Sequence, residues 1–452
     1  MRYAAELPIE GNWDLIVAGA GPAGCAAALA AGRRGRRVLL LEAGTRPGGM
    51  GTAGCVSSFA PMSDGERCVA GGIALELVEA LHGRGALGPQ VTEEYWRRAE
   101  QRWIPFRPEE LVLLYDELLA AAGVEVRYGC RVVDALRGEG PDGPIGAVVA
   151  ADVEGLRALS AAAFIDATGD AALCAAAGYP VRRAGRDTER IMPPTLCALF
   201  SGIRWEGMPM SPSGNCPARQ QEMLERALED GRFSRRDRQL PGLYRIGPGL
   251  GMMNAGHLFN TDAVDERSLS GAYAAGRAQV REYLAFYREY VPGCEDMQLV
   301  ATAPLLGIRE SRRIVGIAEL RYEDYRRRAR FGDGIGLCSG SVDIHVYDDS
   351  PEEYERYYRE FNERDRMGRG ESLGIPYGVL VPRGSRNLWA AGRCVSADVK
   401  VQGALRIQPA AAVMGEAAGM AVDLALESGL PAADMDVAEL RRRLAAVGAV
   451  LE

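Results

Sequence analysis

Lysine is almost missing from this chain: Lys400 is the single one among 53 basic residues, and the rest are arginine. Histidine is nearly as scarce, with His82, His257 and His345 the only three. They do not cluster in sequence with the ten cysteines, which contain no CxxC pair, so no zinc site, dithiol centre or other metal is expected. An uninterrupted apolar run of the ~18 residues a membrane span needs is also lacking. The first strand begins within about a dozen residues, which leaves no room for a signal peptide. A cytoplasmic protein with free thiols and no membrane partner is the expectation. Excess positive charge is absent too: 53 basic against 61 acidic residues give a net charge of -8, which argues against a nucleic-acid partner.

The length of 452 residues asks for two or three domains. A content of 47% hydrophobic and 25% charged residues is ordinary for a globular chain. The arginines are dispersed among acids, as in RYEDYRRRARFGD (321–333), which reads as a solvated helical face.

Glycine, by contrast, is abundant and patterned. Residues 13–44 read WDLIVAGAGPAGCAAALAAGRRGRRVLLLEAG. Asp14 to Ala18 is a short branched apolar run suited to a buried parallel strand, an alanine-rich helix follows to about Arg33, and RRVLLLEA supplies a second strand ending at Glu42. Between strand and helix stands Gly19-Ala20-Gly21-Pro22-Ala23-Gly24, a GxGxxG match in the context that gives it meaning. Gly19 permits the tight turn, Gly21 lets backbone approach a pyrophosphate and Gly24 lets the helix pack on the strand. The helix N-terminus offers free N–H groups to phosphate oxygens. Glu42, with Ala43 beside it, lies 18 residues after Gly24, where an acid accepts hydrogen bonds from ribose hydroxyls.

The expected dinucleotide is FAD. A second glycine patch, Gly48, Gly49, Gly51 and Thr52 in GTRPGGMGTAGCVSSF, follows Glu42 at once. The stretch AAAFIDATGDAAL reads as a strand ending at Ala167-Thr168-Gly169, which returns the chain to the nucleotide. No second GxGxxG stands between a strand and a helix, so a dedicated NAD(P)H domain is not expected.

Four stretches carry a family resemblance: GAGPAGCAAALAAGRRGRRVLLLEA, PGGMGTAGCVSSF, PLLGIRESRRIVG and NLWAAGRCVSADVKVQGALRIQPAAAVMGEAAG. With them the chain resembles the FAD-dependent oxidoreductases related to the succinate dehydrogenase/fumarate reductase flavoproteins. The resemblance implies an α/β fold with a discontinuous Rossmann-like FAD-binding domain, residues 1–185 and 371–452, and an inserted α+β substrate domain, residues 186–370. It implies that Val132, in a small β crossover, sets its backbone against the adenine. It also implies that Gly392 and Arg393 approach the phosphates, and that Gly403 and Arg406 line the isoalloxazine. The helix opened by Pro409 would point its positive end at the flavin.

Where related chains carry a Ser-Ala-Thr-His type sequence, this one reads Ser396-Ala397-Asp398-Val399-Lys400, with valine in place of the histidine. Lys400 and Asp398 are therefore candidate bases, and Lys400 could equally be an exposed loop residue paired with Asp398. His257 is a further candidate base, and His82 and His345 read as peripheral. Arg309 would hold a substrate carboxylate, the flavin or a nearby acid. Tyr377 reads as a packed tyrosine with a lesser chance of bonding substrate. Cys55 reads as a buried thiol, and a flavin tether is the alternative. The expected activity is a dehydrogenase or oxidase removing a hydride from a small polar organic substrate, with an electron acceptor that the sequence does not name. The alternatives are a reductase of activated C=C bonds fed by an external donor, and a flavin subunit for electron transfer in a complex. Flavin monooxygenase or halogenase chemistry is less favoured, and the sequence shows no tryptophan-rich halogenase motif.

Overall fold

The computed structural model describes residues 6–98, 103–138, 143–208 and 217–452. Its fold is α/β, a Rossmann-like, mostly parallel sheet joined by an additional α+β layer. The main sheet has the strand order Glu125–Tyr128, Val38–Glu42, Ile9–Ala18, Gly155–Asp166, Ile145–Asp152, Arg131–Arg137. The first four of these run parallel, and the last two form an antiparallel meander with the start of Gly155–Asp166. Leu388–Ala390 then pairs in parallel with the end of that same strand, at Phe164–Asp166. One strand thus serves the meander with its first half and the C-terminal chain with its second.

The runs LIVA and VLLL form central strands because no alternation of polar residues asks for a wet face. Leu15, Ile16, Val17, Leu39 and Leu40 are fully buried. The helix Pro22–Gly32 follows the first strand, and its alanines are buried nearly all round. What buries them is a helix from the other end of the chain, Gln408–Ser428. Its Gly415 and Gly419 lay backbone against the Ala23 and Ala27 carbonyls, with no room for a Cβ at either. By length and hydropathy Gln408–Ser428 is apolar enough to cross a membrane, but 89% of its most apolar window is buried inside the protein. A core helix passes the same test.

The additional layer is an antiparallel sheet ordered Leu243–Gly247, Leu250–Met253, Ala198–Ser201, Gln298–Thr302. Helices Pro217–Glu229 and Glu266–Tyr290 cover it through Leu224, Val280, Tyr283, Phe286 and Tyr287, packed on Phe200, Leu243 and Met253. Asp265 caps the longer helix by accepting the Ser268 N–H at 2.8 Å. A third unit, the two-stranded pair Gly334–Cys338 with Leu373–Pro376, packs into the same core as Pro22–Gly32 and Gln408–Ser428.

Candidate functional site

The glycine turn is built from unequal glycines. Gly19 has φ +97°, and a Cβ on it would come 2.6 Å from the Ala167 oxygen. A Cβ on Gly24 would lie 1.8 Å from the Gly19 oxygen. Those two are demanded by the protein's own packing. Gly21 has ordinary φ, and a Cβ there would meet nothing within 4 Å. The space in front of Gly21, at the head of helix Pro22–Gly32, is open, as it must be for backbone to receive a pyrophosphate.

Glu42 has work of its own beside that space. One carboxylate oxygen accepts the Ala20 N–H at 2.8 Å and the other accepts the Gly44 N–H at 2.7 Å. The acid ties the first turn to the end of the second strand, and its remaining lone pairs are left for hydroxyls. Ala43 is exposed next to it. Gly129 and Cys130 donate to the Gly44 and Glu42 carbonyls, which brings the strand carrying Val132 beside this end of the site.

Gly48 and Gly49 fold over the first turn. The Gly48 N–H donates to the Ala20 oxygen at 2.7 Å, and a Cβ on Gly49 would stand 2.8 Å from the Gly21 Cα. Thr52 spends its hydroxyl on the Pro47 oxygen, inside the loop. Thr168 hydrogen-bonds Asp166 at 2.7 Å, and the carbonyl oxygen of Gly169 (φ +74°) accepts from Arg393 Nε at 2.9 Å. Arg393 also reaches Asp170 and the Ile308 carbonyl, so each of its three guanidinium nitrogens helps hold loops together. Gly392, with φ +87°, lies against Ala23 at the mouth of the turn.

At the other end, Gln408 opens the helix Gln408–Ser428 and donates to the Val56 and Ser58 carbonyls at 2.8 and 3.0 Å. Its Oε1, the Ser57 hydroxyl and the Gln402 Oε1 are buried and have no hydrogen-bond partner among the described residues. Each such atom costs ~1–3 kcal/mol if nothing bonds it. Three of them near one helix N-terminus, together with the open space at Gly21, fit a polar cofactor lying from one helix head to the other. A cavity of about 570 Å³ exists elsewhere, between Gly332–Asp333 and the helix Val437–Ala446, and holds none of these groups.

Next to the Gln402 and Arg406 segment lies a cluster drawn from four distant parts of the chain. His257 Nδ1 is 3.1 Å from Asp237 Oδ1, and its Nε2 is 2.8 Å from His345 Nδ1. His345 Nε2 is 3.2 Å from Asp343 Oδ1. Arg406 donates to the Asp343 carboxylate at 2.7 Å and to its carbonyl at 2.6 Å. Arg309 donates to the Pro193 carbonyl at 2.6 Å and to the Thr195 hydroxyl at 3.1 Å, while Gln402 holds the Arg309 carbonyl. Asp237, His257, His345 and Arg309 are buried, whereas 45% of the Asp343 side chain is accessible even though protein surrounds it. Asp343 therefore faces a recess.

Burial pushes the His345 imidazole down to about 3, aided by the nearby Arg309, and lowers His257 against the pull of Asp237. Burial and then Arg406 bring Arg309 down to about 10. Burial works against the charge on Asp343, but His345, Arg406 and Arg309 outweigh it and hold the carboxyl far below its usual range.

This geometry corrects the reading of His345 as peripheral: it contacts His257 directly. His82 is exposed and packs edge-on to Trp96. Lys400 and Asp398 are not brought to the recess. Lys400 Nζ sits 3.6 Å from both Glu360 and Asp365 and over the Tyr322 ring. Asp398 caps the helix Val399–Leu405, with one oxygen accepting the Val401 N–H and the other the Tyr322 N–H, so both are committed. Tyr377 is packed, accepting from Trp389 and donating to the Ala432 carbonyl. Cys55 is buried with φ +50°, and burial pushes its thiol up to about 11. Gly403 stands against the Asp343 backbone, 3.3 Å from where its Cβ would be. Among the described residues no group of three or more His, Cys, Asp or Glu is placed to hold a metal ion. The sequence signals that went unread were Asp-x-His at Asp343 and His345, whose alternation puts both on one side, and Asp398 immediately before a helix.

The FAD dependent oxidoreductase family profile matches residues 14–444. This chain belongs to that family. It is an FAD-dependent oxidoreductase, and FAD is its cofactor. A 43-residue segment is 58% identical to sarcosine oxidase subunit alpha of Rhizobium meliloti (strain 1021), a match spanning 9% of this chain and 4% of that relative. Among solved structures, a geranylgeranyl bacteriochlorophyll reductase-like protein of Thermoplasma acidophilum is 13% identical, with 97% and 83% of the two chains covered and a TM-score of 0.46. PqsL of Pseudomonas aeruginosa is 17% identical over 98% and 94%, with a TM-score of 0.43.

Proposed function

We propose that this FAD-dependent oxidoreductase is a dehydrogenase or oxidase that removes a hydride from a small polar substrate held by an anionic group. The carrying observation is Arg309. The residue is 7% exposed, and among the described residues no carboxylate lies within ion-pair distance of its guanidinium. A buried cation without an acid is costly, and an incoming carboxylate would relieve that cost. Arg406 reaches the same recess already neutralised by Asp343. At the recess Arg309 is thus the cation without an ion-pair partner among the described residues, beside the paired imidazoles of His257 and His345.

In this reading Gly19, Gly21, Pro22, Ala23 and Gly24 present a helix head to the pyrophosphate. Glu42 and Ala43 meet the ribose, and Val132 lies by the adenine. Gly48, Gly49, Gly51, Thr52, Ala167, Thr168, Gly169 and Gly392 line the path between, with Arg393 bracing it. Gly403 and Arg406 lie at the flavin. Bound FAD supplies the hydride acceptor, and the head of helix Gln408–Ser428 favours the negative charge that follows. Kinship with the succinate dehydrogenase/fumarate reductase flavoproteins, the division at residues 185 and 370, and a cytoplasmic home remain part of this proposal.

The test mixes the FAD-loaded protein without oxygen with small 2-hydroxy and 2-amino acids and with their uncharged amides. The acids should bleach the oxidised flavin. Arg309→Gln should keep FAD and raise the acid concentration needed at least about tenfold. Bleaching by the amides as readily as by the acids would remove the anion from the reading.

A further inference from the structure

Asp237, His257, His345 and Asp343 stand in one row, joined by three contacts of 3.1, 2.8 and 3.2 Å. Each contact needs one hydrogen between its two atoms. Two neutral imidazoles carry two, and two carboxylates carry none. However the tautomers are set, at least one contact is left with lone pair against lone pair. With His257 Nδ1–H on Asp237 and His345 Nδ1–H on His257, the vacancy falls between His345 Nε2 and Asp343.

We propose that this row is a one-proton store, empty in the oxidised enzyme and filled by the proton that the substrate gives up; this rests on the oxidation proposed above. The substrate's C–H bond breaks with its electron pair leaving as hydride to FAD, its O–H or N–H proton enters the vacancy, and the C=O or C=N bond forms. The filled row satisfies all three contacts, so uptake completes a hydrogen-bond chain that the neutral pair cannot.

The row has an open end and a closed end. Asp343 is 45% accessible, whereas the His257 and Asp237 side chains are 0% and 3% accessible. The proton enters at Asp343 and His345. Arg309 and Arg406 face that end and oppose a positive charge on it, so the charge moves inward by transfer from His345 Nδ1 to His257 Nε2. There Asp237 is held by the His257 and Gln239 N–H groups and by the Tyr354 hydroxyl. Tyr283 and Tyr357 complete the titratable surroundings, facing Asp237 and Asp343 respectively. Asp237 is a positioning residue, acting through His257.

The scarcity of histidine makes the row measurable. FAD-loaded protein labelled with ¹⁵N-histidine gives three imidazoles, and H82Q identifies the pair that remains. The His257 and His345 signals should move together through one shared midpoint as one proton is taken up. Asp237→Asn should lower that midpoint by about one pH unit or more, and the alkaline rise in the anaerobic flavin reduction rate should shift with it. H345Q, which hydrogen-bonds but cannot carry the charge, should abolish the shared transition while His257 stays folded and neutral. Burial holds both imidazoles low, so the shared midpoint should lie below the ordinary imidazole value; two independent midpoints, or no movement down to the lowest pH at which the protein keeps its flavin, would overturn the store. Flavin bleaching with static histidines also overturns it and leaves the oxidation standing. A shared transition in a protein that no acid bleaches keeps the row as a one-proton acceptor but overturns its filling by substrate, together with the proposed oxidation.

Discussion

A Cβ placed on Gly415 would stand 2.0 Å from the carbonyl oxygen of Ala23. Backbone meets backbone between the first helix of the chain and its last long one. Gly415→Ala must push the two apart and should cost about 1–3 kcal/mol. The melting midpoint should fall by several degrees, with flavin released at lower temperature than in the parent.

Gly21 makes the opposite case. The protein has room for a methyl group there, so Gly21→Ala should leave the unfolding midpoint of the FAD-free protein almost unchanged, within about 0.5 kcal/mol. The methyl enters the space left for the pyrophosphate, and FAD affinity should fall by tenfold or more. Titration of the apoprotein with FAD, beside a melt, separates the two effects.

Lys400→Met should change little. Its partners Glu360 and Asp365 lie 3.6 Å away on a surface where a third of the lysine is exposed, and such pairs contribute about 1 kcal/mol or less. Anaerobic flavin reduction should proceed at the parent rate. A slowed reduction with unchanged FAD binding would return Lys400 to the chemistry.

Glu416 predicts a pH dependence. It is buried under helix Ile73–Gly83, accepts the Ile73 N–H at 3.1 Å, and burial pushes its carboxyl up to about 7. The folded protein then holds a proton that the unfolded chain releases near pH 4.5, so its contribution is full below about 4.5 and is lost as pH rises through about 7. Glu416→Gln keeps an acceptor and removes the charge. Stability measured at pH 8 should rise by about 1–3 kcal/mol, and the decline between pH 5 and 8 should flatten.

The strand–turn–helix from Asp14 to Glu42 was legible because it is local: its glycines, apolar runs and terminal acid lie within one short window. The recess was not. His257 and His345 are 88 positions apart, outside any helix or strand, and no period in the sequence joins them. Lys400 drew attention by being unique, yet rarity in composition carries no geometry. Asp398 looked chemical because it stands in the stretch where related chains carry a Ser-Ala-Thr-His type sequence, but a short acid before a helix is first of all a cap. Glycines at 415 and 419 looked like part of an alanine-rich helix, and only the facing helix shows why a side chain is barred there.

The pairing of Pro22–Gly32 with Gln408–Ser428 also sets an order in time. A ribosome adding about 5–20 residues per second makes the nucleotide turn first and its covering helix tens of seconds later. During that interval the alanine face of the first helix lacks its native partner, and the site cannot be complete. Cofactor capture should therefore wait until the helix Gln408–Ser428 has been made, and products truncated before it should be left to chaperones and proteases without flavin to hold them.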